Sequence, residues 1–367
     1  MSEEAEPVVL ERVRGGLGTL TLNRPRAINA LDAEVIRLIG DALDRWRTDP
    51  DVQRVALLGA GERGFCAGGD VRALREAVAG GQPELAERFL AAEYHVNAAI
   101  AEYPLPVIAF ADGVTMGGGI GLAGHASVRI VSERSLLAMP ETRIGFVPDV
   151  GGTWLLAHAP GRLGEFLALT GTAIGPADAI AVGLADHLVP RENLASFHDA
   201  LETRADPASA TELALLFDET PEVYFAEAGA EHPPLLEQRA WIDEVFAADT
   251  VPEIIERLRD VTSGADAPPE ASIALTTLGE LSPTSLVITL AAVRRARELD
   301  GLRAALAMEY GLASFIVRNL PDMPEGIRAQ LVDKDRQPRW QPATVAEVPA
   351  SLAADALAWQ PPAPLWD

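Results

Sequence analysis

Two kinds of group that can act on a carbonyl compound occur within one stretch of the chain, residues 112–152. Three consecutive glycines, Gly117 to Gly119, follow a short apolar run and open a predicted short helix. Glycine lets a ligand approach the backbone closely, and a helix N-terminus presents unpaired N–H donors. Two carboxylates follow, Glu141 and Asp149, each directly after a proline. Backbone donors with two carboxylates suit a reaction that builds negative charge on a carbonyl oxygen while water or a proton is handled nearby.

The same glycines imitate a dinucleotide-binding fingerprint. Gly119, Gly121 and Gly124 match its G-x-G-x-x-G spacing. In that motif the glycines open the crossover helix of a βαβ unit. Here only three residues separate Gly124 from the next strand-like run, Val128 to Val131, which is too few for a crossover helix. The spacing therefore excludes a dinucleotide site at this position.

Four motifs, in this order, resemble the enoyl-CoA hydratase/isomerase (crotonase) superfamily: FCAGGD at Phe65–Asp70, MGGGIGLAG, MPET and PDVGG. Within it they are most similar to the 3-hydroxyisobutyryl-CoA hydrolase branch. The similarity runs from Leu22 to about Pro190, and EGIRAQLVDKDRQPRW at Glu325–Trp340 also resembles that branch. The resemblance implies an α/β fold with a crotonase-like ββα spiral core and a helical C-terminal region.

The resemblance also implies roles for four residues. The backbone N–H groups of Gly69 and Gly118 would form an oxyanion hole for the thioester carbonyl. Glu141 would act as the nucleophile or as the base for water, with an acid placed near a helix start for its dipole as the alternative. Asp149 would be the general acid/base or would orient the water, with a helix N-cap as the alternative.

Glu93 falls on an apolar face of a predicted helix, in register with Leu85, Phe89, Val96 and Ile100. An ionised carboxylate on such a face is costly unless it is paired or hydrated. The resemblance implies that Glu93 reaches the substrate hydroxyl or the active-site water. A buried pair with an arginine is the alternative.

Gly121 favours hydrolysis over hydration. By resemblance, hydratases of this superfamily carry a second glutamate three residues after the middle glycine, so that two carboxylates share one water. That position is Gly121 in this chain. Hydration across a double bond would therefore lack half of its acid/base apparatus.

Coenzyme A would be part of the substrate, and no other cofactor and no metal is expected. The formal net charge of −24 opposes a polyanionic ligand, so local arginines would have to hold it. The resemblance points to Arg26 for the nucleotide end, with backbone around Ala67 and Val71 facing the adenine. Arg328 and Lys334 are weaker candidates for phosphate contact.

Other catalytic classes find little support in the sequence. Cys66 lies inside the proposed oxyanion loop, but no motif supplies a histidine base, which favours a packed thiol over a nucleophile. The six histidines show no HExxH or paired metal spacing, and neither a GxSxG elbow nor a P-loop occurs.

The elements that must position these residues follow from apolar periodicity and from capping and breaking residues. We expect three regions: a spiral core at 1–190, a mainly helical connecting region at 191–281, and a C-terminal helical region at 282–367 that covers the core. The tail from Pro338 is predicted to be irregular. The main predicted elements are Val8–Arg14, Leu17–Leu22 and Val55–Leu58 as strands, and Leu31–Trp46, Leu235–Phe246, Pro252–Val261, Ser282–Arg297 and Leu302–Arg318 as helices.

The resemblance thus implies an acyl-CoA thioester hydrolase that releases a short 3-hydroxy acid, first of all 3-hydroxyisobutyrate in valine catabolism. An enoyl-CoA hydratase/isomerase on the same fold and a non-catalytic CoA-binding protein are the alternatives. The acidic N-terminal residues and the single cysteine favour the cytoplasm. The charge argues against nucleic acid, the lack of a long apolar run argues against a membrane, and the resemblance implies a homo-oligomer, either trimer or hexamer.

Overall fold

The computed structural model describes residues 6–203, 209–219 and 233–366. The chain divides into two compact units of interleaved segments. The first unit comprises Met1–Gly69, Ala92–Leu137 and Ile174–Pro233, and the second comprises Asp70–Ala91, Ala138–Ala173 and Pro234–Asp367. The division into regions at 190 and 281 stays a prediction.

The first unit is built on a mostly parallel sheet. Within the described residues, six strands pair in the order β1-β2-β3-β4-β6-β8, and β5 pairs with β7 in a separate sheet. Within the described part of the six-stranded sheet, only the β1–β2 pair is antiparallel, as expected for a hairpin closed by Gly15 and Gly16. The strands are β1 (Val9–Arg14), β2 (Leu17–Leu22), β3 (Arg54–Gly59), β4 (Val107–Ala111), β5 (Val114–Met116), β6 (Val128–Val131), β7 (Leu136–Ala138) and β8 (His187–Leu188).

Helices follow or separate these strands, and they are the regular elements in the described part of the chain after β8. In the first half they are α1 (Ala33–Trp46), α2 (Val71–Ala79), α3 (Pro83–Ala101), α4 (Gly118–Ala123), α5 (Gly152–Ala157), α6 (Leu163–Thr170) and α7 (Pro176–Ala181). In the second half they are α8 (Arg191–Thr203), α9 (Ser209–Phe217), α10 (Pro234–Glu237), α11 (Arg239–Phe246), α12 (Val251–Thr262), α13 (Pro269–Glu280), α14 (Pro283–Ala296), α15 (Leu302–Asn319), α16 (Asp322–Ile327) and α17 (Leu352–Ala358).

A hydrophobic core joins one face of the sheet to α8 and α9. Alternate strand residues point to the same side, so Ile108 and Phe110 on β4 enter this core together. Phe197 on α8 meets them, with its ring centre 5.4 Å from that of Phe110. Burying a large apolar side chain of this kind contributes about 1.5–3 kcal/mol to the stability of the fold. The packing therefore holds β4 in place, and β4 precedes the glycine run Gly117 to Gly119.

Several predicted elements are confirmed, and others are corrected. Asp32 caps α1, because its carboxylate accepts the N–H groups of Glu34 and Val35. The single helix predicted over Leu235–Phe246 is wrong, because the chain forms α10 and α11 with a break at Gln238. Helix α13 begins at Pro269, because proline is well suited to the first turn of a helix. The tail is not wholly irregular, since it includes α17.

Among the described residues, no single helix is long and apolar enough to cross a bilayer. One pair, Pro269–Glu280 and Pro283–Ala296, passes by length and composition together, but it is bent by 117°.

Candidate active site

In the first unit, the segment that leads to Gly69 lies beside the segment that leads to Gly118. The N–H of Met116 donates to the carbonyl of Cys66 at 2.9 Å, and the N–H of Cys66 donates to the carbonyl of Val114 at 3.1 Å. A Cβ placed on Gly118 would lie 3.3 Å from the amide nitrogen of Gly69. The structure therefore brings Gly69 and Gly118 together, as the sequence predicted.

Glu93 lies against the same glycine. Its side chain is only 2% exposed, and a Cβ on Gly118 would lie 2.3 Å from its Oε1 and 3.0 Å from Cδ1 of Leu31. A residue with any side chain at position 118 would therefore displace the carboxylate or the helix that Gly118 begins. Three predicted site residues, Gly69, Glu93 and Gly118, form one group in the first unit.

A buried asparagine organises the loop that leads to Gly69. Asn29 is 1% exposed, and its Nδ2 donates to the carbonyls of Ala60, Gly64 and Phe65 at 3.0–3.1 Å. The loop is also tied by the N–H of Leu31, which donates to the carbonyl of Gly68 at 2.9 Å. These hydrogen bonds stabilise one conformation of the loop that leads to Gly69, because buried carbonyl groups need hydrogen-bond donors.

Cys66 is a packed thiol, as predicted. Burial raises its pKa to about 12, and the nearby Glu93 carboxylate acts in the same direction, against a hydrogen bond from the N–H of Gly68. Its Sγ contacts the carbonyl oxygen of Asn29 at 3.2 Å. Since the thiolate is the nucleophilic form, the thiol is inert at neutral pH.

The residues predicted to contact coenzyme A lie on both units. Arg26 has an exposed side chain on the short 3-10 helix Pro25–Ala27. Ala67 is exposed, and its N–H donates to the carbonyl of Ile28 at 2.9 Å. Val71, in the second unit, is the first residue of α2. Their contacts with coenzyme A stay predictions.

In the second unit, Glu141 begins a short 3-10 helix, Glu141–Ile144, and is 7% exposed. The helix is closed by Gly145 at φ 73°, a conformation that favours glycine. A Cβ on Gly145 would lie 2.4 Å from the carbonyl carbon and oxygen of Asp322 on α16. One on Gly326 would lie 2.4 Å from the carbonyl carbon of Ile144. The turn of Glu141 is thus set by direct backbone packing against α16.

Asp322 anchors that packing. It is fully buried, and its Oδ2 accepts the hydroxyls of Ser282 at 2.6 Å and Thr284 at 2.8 Å. Its Oδ1 accepts the N–H of Gln341 at 2.8 Å. One carboxylate therefore ties the start of α14 and the C-terminal segment to the helix that supports Glu141.

Asp149 is 6% exposed and lies at the start of a left-handed turn. Val150 has φ 55° and Gly151 φ 81°. The alternative role of Asp149 as an N-cap is wrong, because α5 begins at Gly152 with Gly151 as its N-cap and no side-chain cap bond. The turn makes the carbonyl of Asp149 accept the N–H of Gly152 at 2.6 Å, so the backbone closes on itself there.

Sequence reasoning missed Glu309, a fully buried acid on α15. Its Oε2 accepts the N–H of Gly151 at 2.6 Å, and its Oε1 accepts the N–H of Thr153 at 2.9 Å and the Thr153 hydroxyl at 2.5 Å. Burial raises the pKa of Glu309 to about 8, and the charge of Asp149 adds to the rise, while the three hydrogen bonds oppose it.

This raised pKa makes a prediction for stability. Unfolding returns the carboxyl from a pKa of about 8 to about 4.5, so between these values the folded state binds more protons. The stability that Glu309 contributes is complete below pH 4.5 and is lost as the pH rises through 8. We expect the free energy of unfolding to fall less steeply over this window in Glu309→Gln, measured by denaturant titration. The exposed Glu298→Gln is the control, and an unchanged slope in Glu309→Gln would contradict the assignment.

The C-terminal block contains one of the weaker phosphate candidates. Arg328 pairs with Glu325 at 2.9 Å, Asp333 at 2.6 Å and Asp335 at 2.7 Å. These ion pairs connect the residues of the segment around the guanidinium. A phosphate contact for Arg328 stays a prediction. Lys334 lies in the same segment, at φ 58°.

One possible metal-ligand group occurs on α8. Ligand atoms of His198, Asp199 and Glu202 lie within 4.8 Å of one another. Protein partners already engage two of them, since Arg12 donates to Glu202 and the Thr19 hydroxyl lies 3.2 Å from Nε2 of His198. These contacts between α8 and the strands β1 and β2 explain why the three side chains lie close together.

Comparison with known proteins covers almost the whole chain. The family model for enoyl-CoA hydratase/isomerase matches residues 17–357. The chain is 41% identical over 349 residues to a 3-hydroxyisobutyryl-CoA hydrolase, mitochondrial, of Danio rerio, covering 95% of this chain and 88% of that protein.

Two solved structures are similar to the same extent. A carnitinyl-CoA dehydratase from Mycobacterium thermoresistibile has a TM-score of 0.87 and 41% identity, covering 97% of this chain and 98% of its own. An enoyl-CoA hydratase from Rhodobacter sphaeroides has a TM-score of 0.85 and 40% identity, covering 96% and 97%. These similarities confirm the predicted α/β fold of the crotonase type. The chain belongs to the enoyl-CoA hydratase/isomerase family.

Proposed function

We propose that the protein hydrolyses the thioester of a short 3-hydroxyacyl-CoA, with 3-hydroxyisobutyryl-CoA as the first candidate. The observation that carries this proposal is the match to relatives named 3-hydroxyisobutyryl-CoA hydrolase, at about 40% identity over 94–95% of the chain. The product acid would place the reaction in valine breakdown.

Identity alone does not separate hydrolysis from hydration, because structures described as a dehydratase and a hydratase match equally well. The residues of α4 favour hydrolysis. Gly121 is buried in that helix, where a hydratase of this family would carry its second glutamate. Without that carboxylate, a water cannot be shared by two acids for addition to a double bond.

The residue roles are part of the proposal. The N–H groups of Gly69 and Gly118 would polarise the thioester carbonyl, and Glu93, next to Gly118, would receive the substrate hydroxyl or a water. Such preorganised donors lower the barrier because charge develops on the carbonyl oxygen in the transition state. No cofactor or metal is assigned.

Two routes for Glu141 remain. As a nucleophile, its carboxylate would attack the carbonyl carbon, the C–S bond would break, and water would then cleave the resulting anhydride. As a base, it would take a proton from water while the water oxygen attacks directly. In both routes Asp149 would start protonated and hand its proton to the leaving thiolate. Water would supply the new acid oxygen, and a proton released from that water would return to Asp149.

A single assay tests the reaction class. Release of free thiol and loss of enoyl absorbance are followed on a panel of 3-hydroxyacyl-CoA and 2-enoyl-CoA esters. We expect thiol release to be fastest with 3-hydroxyisobutyryl-CoA and no change in enoyl absorbance. Hydration of 2-enoyl-CoA without thiol release would sink the proposal in favour of a hydratase, and CoA binding without turnover would favour a binding protein.

Assembly and location are also part of the proposal. By resemblance to the superfamily we propose a trimer or a hexamer, and from the sequence a cytoplasmic location. Two of the similar hydrolases, those of Danio rerio and Rattus norvegicus, are named as mitochondrial.

A further inference from the structure

The turn that carries Asp149 holds a strained residue. Val150 is β-branched and has φ 55°, a region that such side chains rarely adopt. A residue held in this region costs on the order of 1–3 kcal/mol and persists only where the surroundings fix it. The sequence of the turn alone does not account for this conformation.

Glu309 is the group that fixes it. Two N–H groups just after the strained residue, those of Gly151 and Thr153, both donate to the carboxyl group of Glu309, at 2.6 and 2.9 Å. The hydroxyl of Thr153 donates a third hydrogen bond. All these atoms are buried, and an unmet buried donor costs about 1–3 kcal/mol, so the turn and the carboxylate hold one another.

We propose that Glu309 is a positioning residue that sets the direction of Asp149 by clamping the turn after it. The inference rests on the proposed function, in which Asp149 handles the proton of the leaving group. A small error in the placement of such a group is expensive, because a shift of about 1 Å can lower a rate by about 10²-fold. Glu309 would touch neither substrate nor water, and would act through Asp149.

The chain offers a matched control in Glu87 of α3, which packs against the same helix, α15. Glu87 is buried like Glu309, and it binds α15 through Ser314 and Arg318, with three contacts of 2.6 Å. Glu87→Gln therefore weakens the anchoring of α15 without touching the 149–153 turn. Glu309→Gln keeps size and shape but places an amide N–H₂ against a backbone N–H, which turns one contact of the clamp into a repulsion.

The experiment compares both variants in thioester turnover, thermal stability and amide exchange. For Glu309→Gln we expect kcat to fall about 10- to 100-fold with little change in KM, and peptides covering 149–157 to exchange faster. For Glu87→Gln we expect a lower Tm, a kcat within about threefold of wild type and unchanged exchange at 149–157. Thr153→Val, which removes one hydrogen bond of the clamp, should give a smaller fall in kcat than Glu309→Gln.

Three outcomes would overturn the inference: equal losses of kcat in both glutamine variants, unchanged exchange at 149–157 in Glu309→Gln, or a full further loss when Glu309→Gln is added to Asp149→Asn. Residues that act through one another should not be additive. If the wild type turns over no thioester, the proposed function fails by itself, and the exchange measurement still decides whether Glu309 clamps the turn. Should Glu309→Gln not fold, Thr153→Val supplies the same readouts.

Discussion

Gly118→Ala is expected to lower kcat for the thioester by about 10²–10³-fold, the loss typical of a missing oxyanion donor. The added Cβ would lie 2.3 Å from Oε1 of Glu93 and 3.0 Å from Cδ1 of Leu31. Glu93 is buried and has little room to retreat. The methyl group must therefore move either this carboxylate or the backbone N–H of residue 118, and either change spoils the proposed carbonyl site.

Gly40→Ala is the matched control, because it makes the same change in α1 of the same unit. There the new Cβ meets only Cγ2 of Val96, at 3.5 Å, an ordinary contact. In a helix interior alanine is more stable than glycine by about 0.5–1 kcal/mol. This control should raise the free energy of unfolding slightly and leave turnover unchanged. A Gly118→Ala enzyme with kcat within about threefold of wild type would contradict the oxyanion role.

Glu141→Gln should lower kcat by about 10²–10⁴-fold, because the amide can neither attack the thioester nor accept a proton from water. The substitution keeps the volume of the side chain, so the turn against α16 should survive. Steady-state kinetics of thiol release measure the effect, and circular dichroism and Tm show whether the fold is kept.

Glu298→Gln is the control for the loss of one negative charge in the second unit. Its side chain is exposed and pairs with Arg295, so turnover should not change. A Glu141→Gln enzyme that keeps wild-type turnover would remove Glu141 from the chemistry. If Asp149→Asn then carried the whole loss, the general base would have to be reassigned to Asp149.

Features fixed by local sequence were predictable. The apolar spacing of α1 and its Asp32 cap gave a helix whose end, Trp46, agrees with the structure. The hairpin of β1 and β2 followed from two apolar runs around paired glycines. The proximity of Gly69 and Gly118 came from the family resemblance and is confirmed by their backbone geometry, although their catalytic role stays a prediction.

Features that depend on distant contacts were not predictable. The left-handed conformation of Val150 is held by Glu309, an acid far away in the chain. A signal for Glu309 does exist, because it shares an apolar face of α15 with Leu306, Ala313 and Ile316. The apolar-face argument that singles out Glu93 therefore also points to Glu309 as a buried acid, but it does not show that Glu309 contacts the turn after Asp149.

The close contact between Gly145 and Asp322 bears on how the enzyme is made. A ribosome builds the chain from the N-terminus, so residue 141 emerges long before α16, the helix against which its turn packs. Nascent or truncated chains that end before residue 322 would contain the four motifs between residues 65 and 152. They would lack the helix that holds the turn of Glu141. Maturation of activity would then wait for the last segment of the polypeptide.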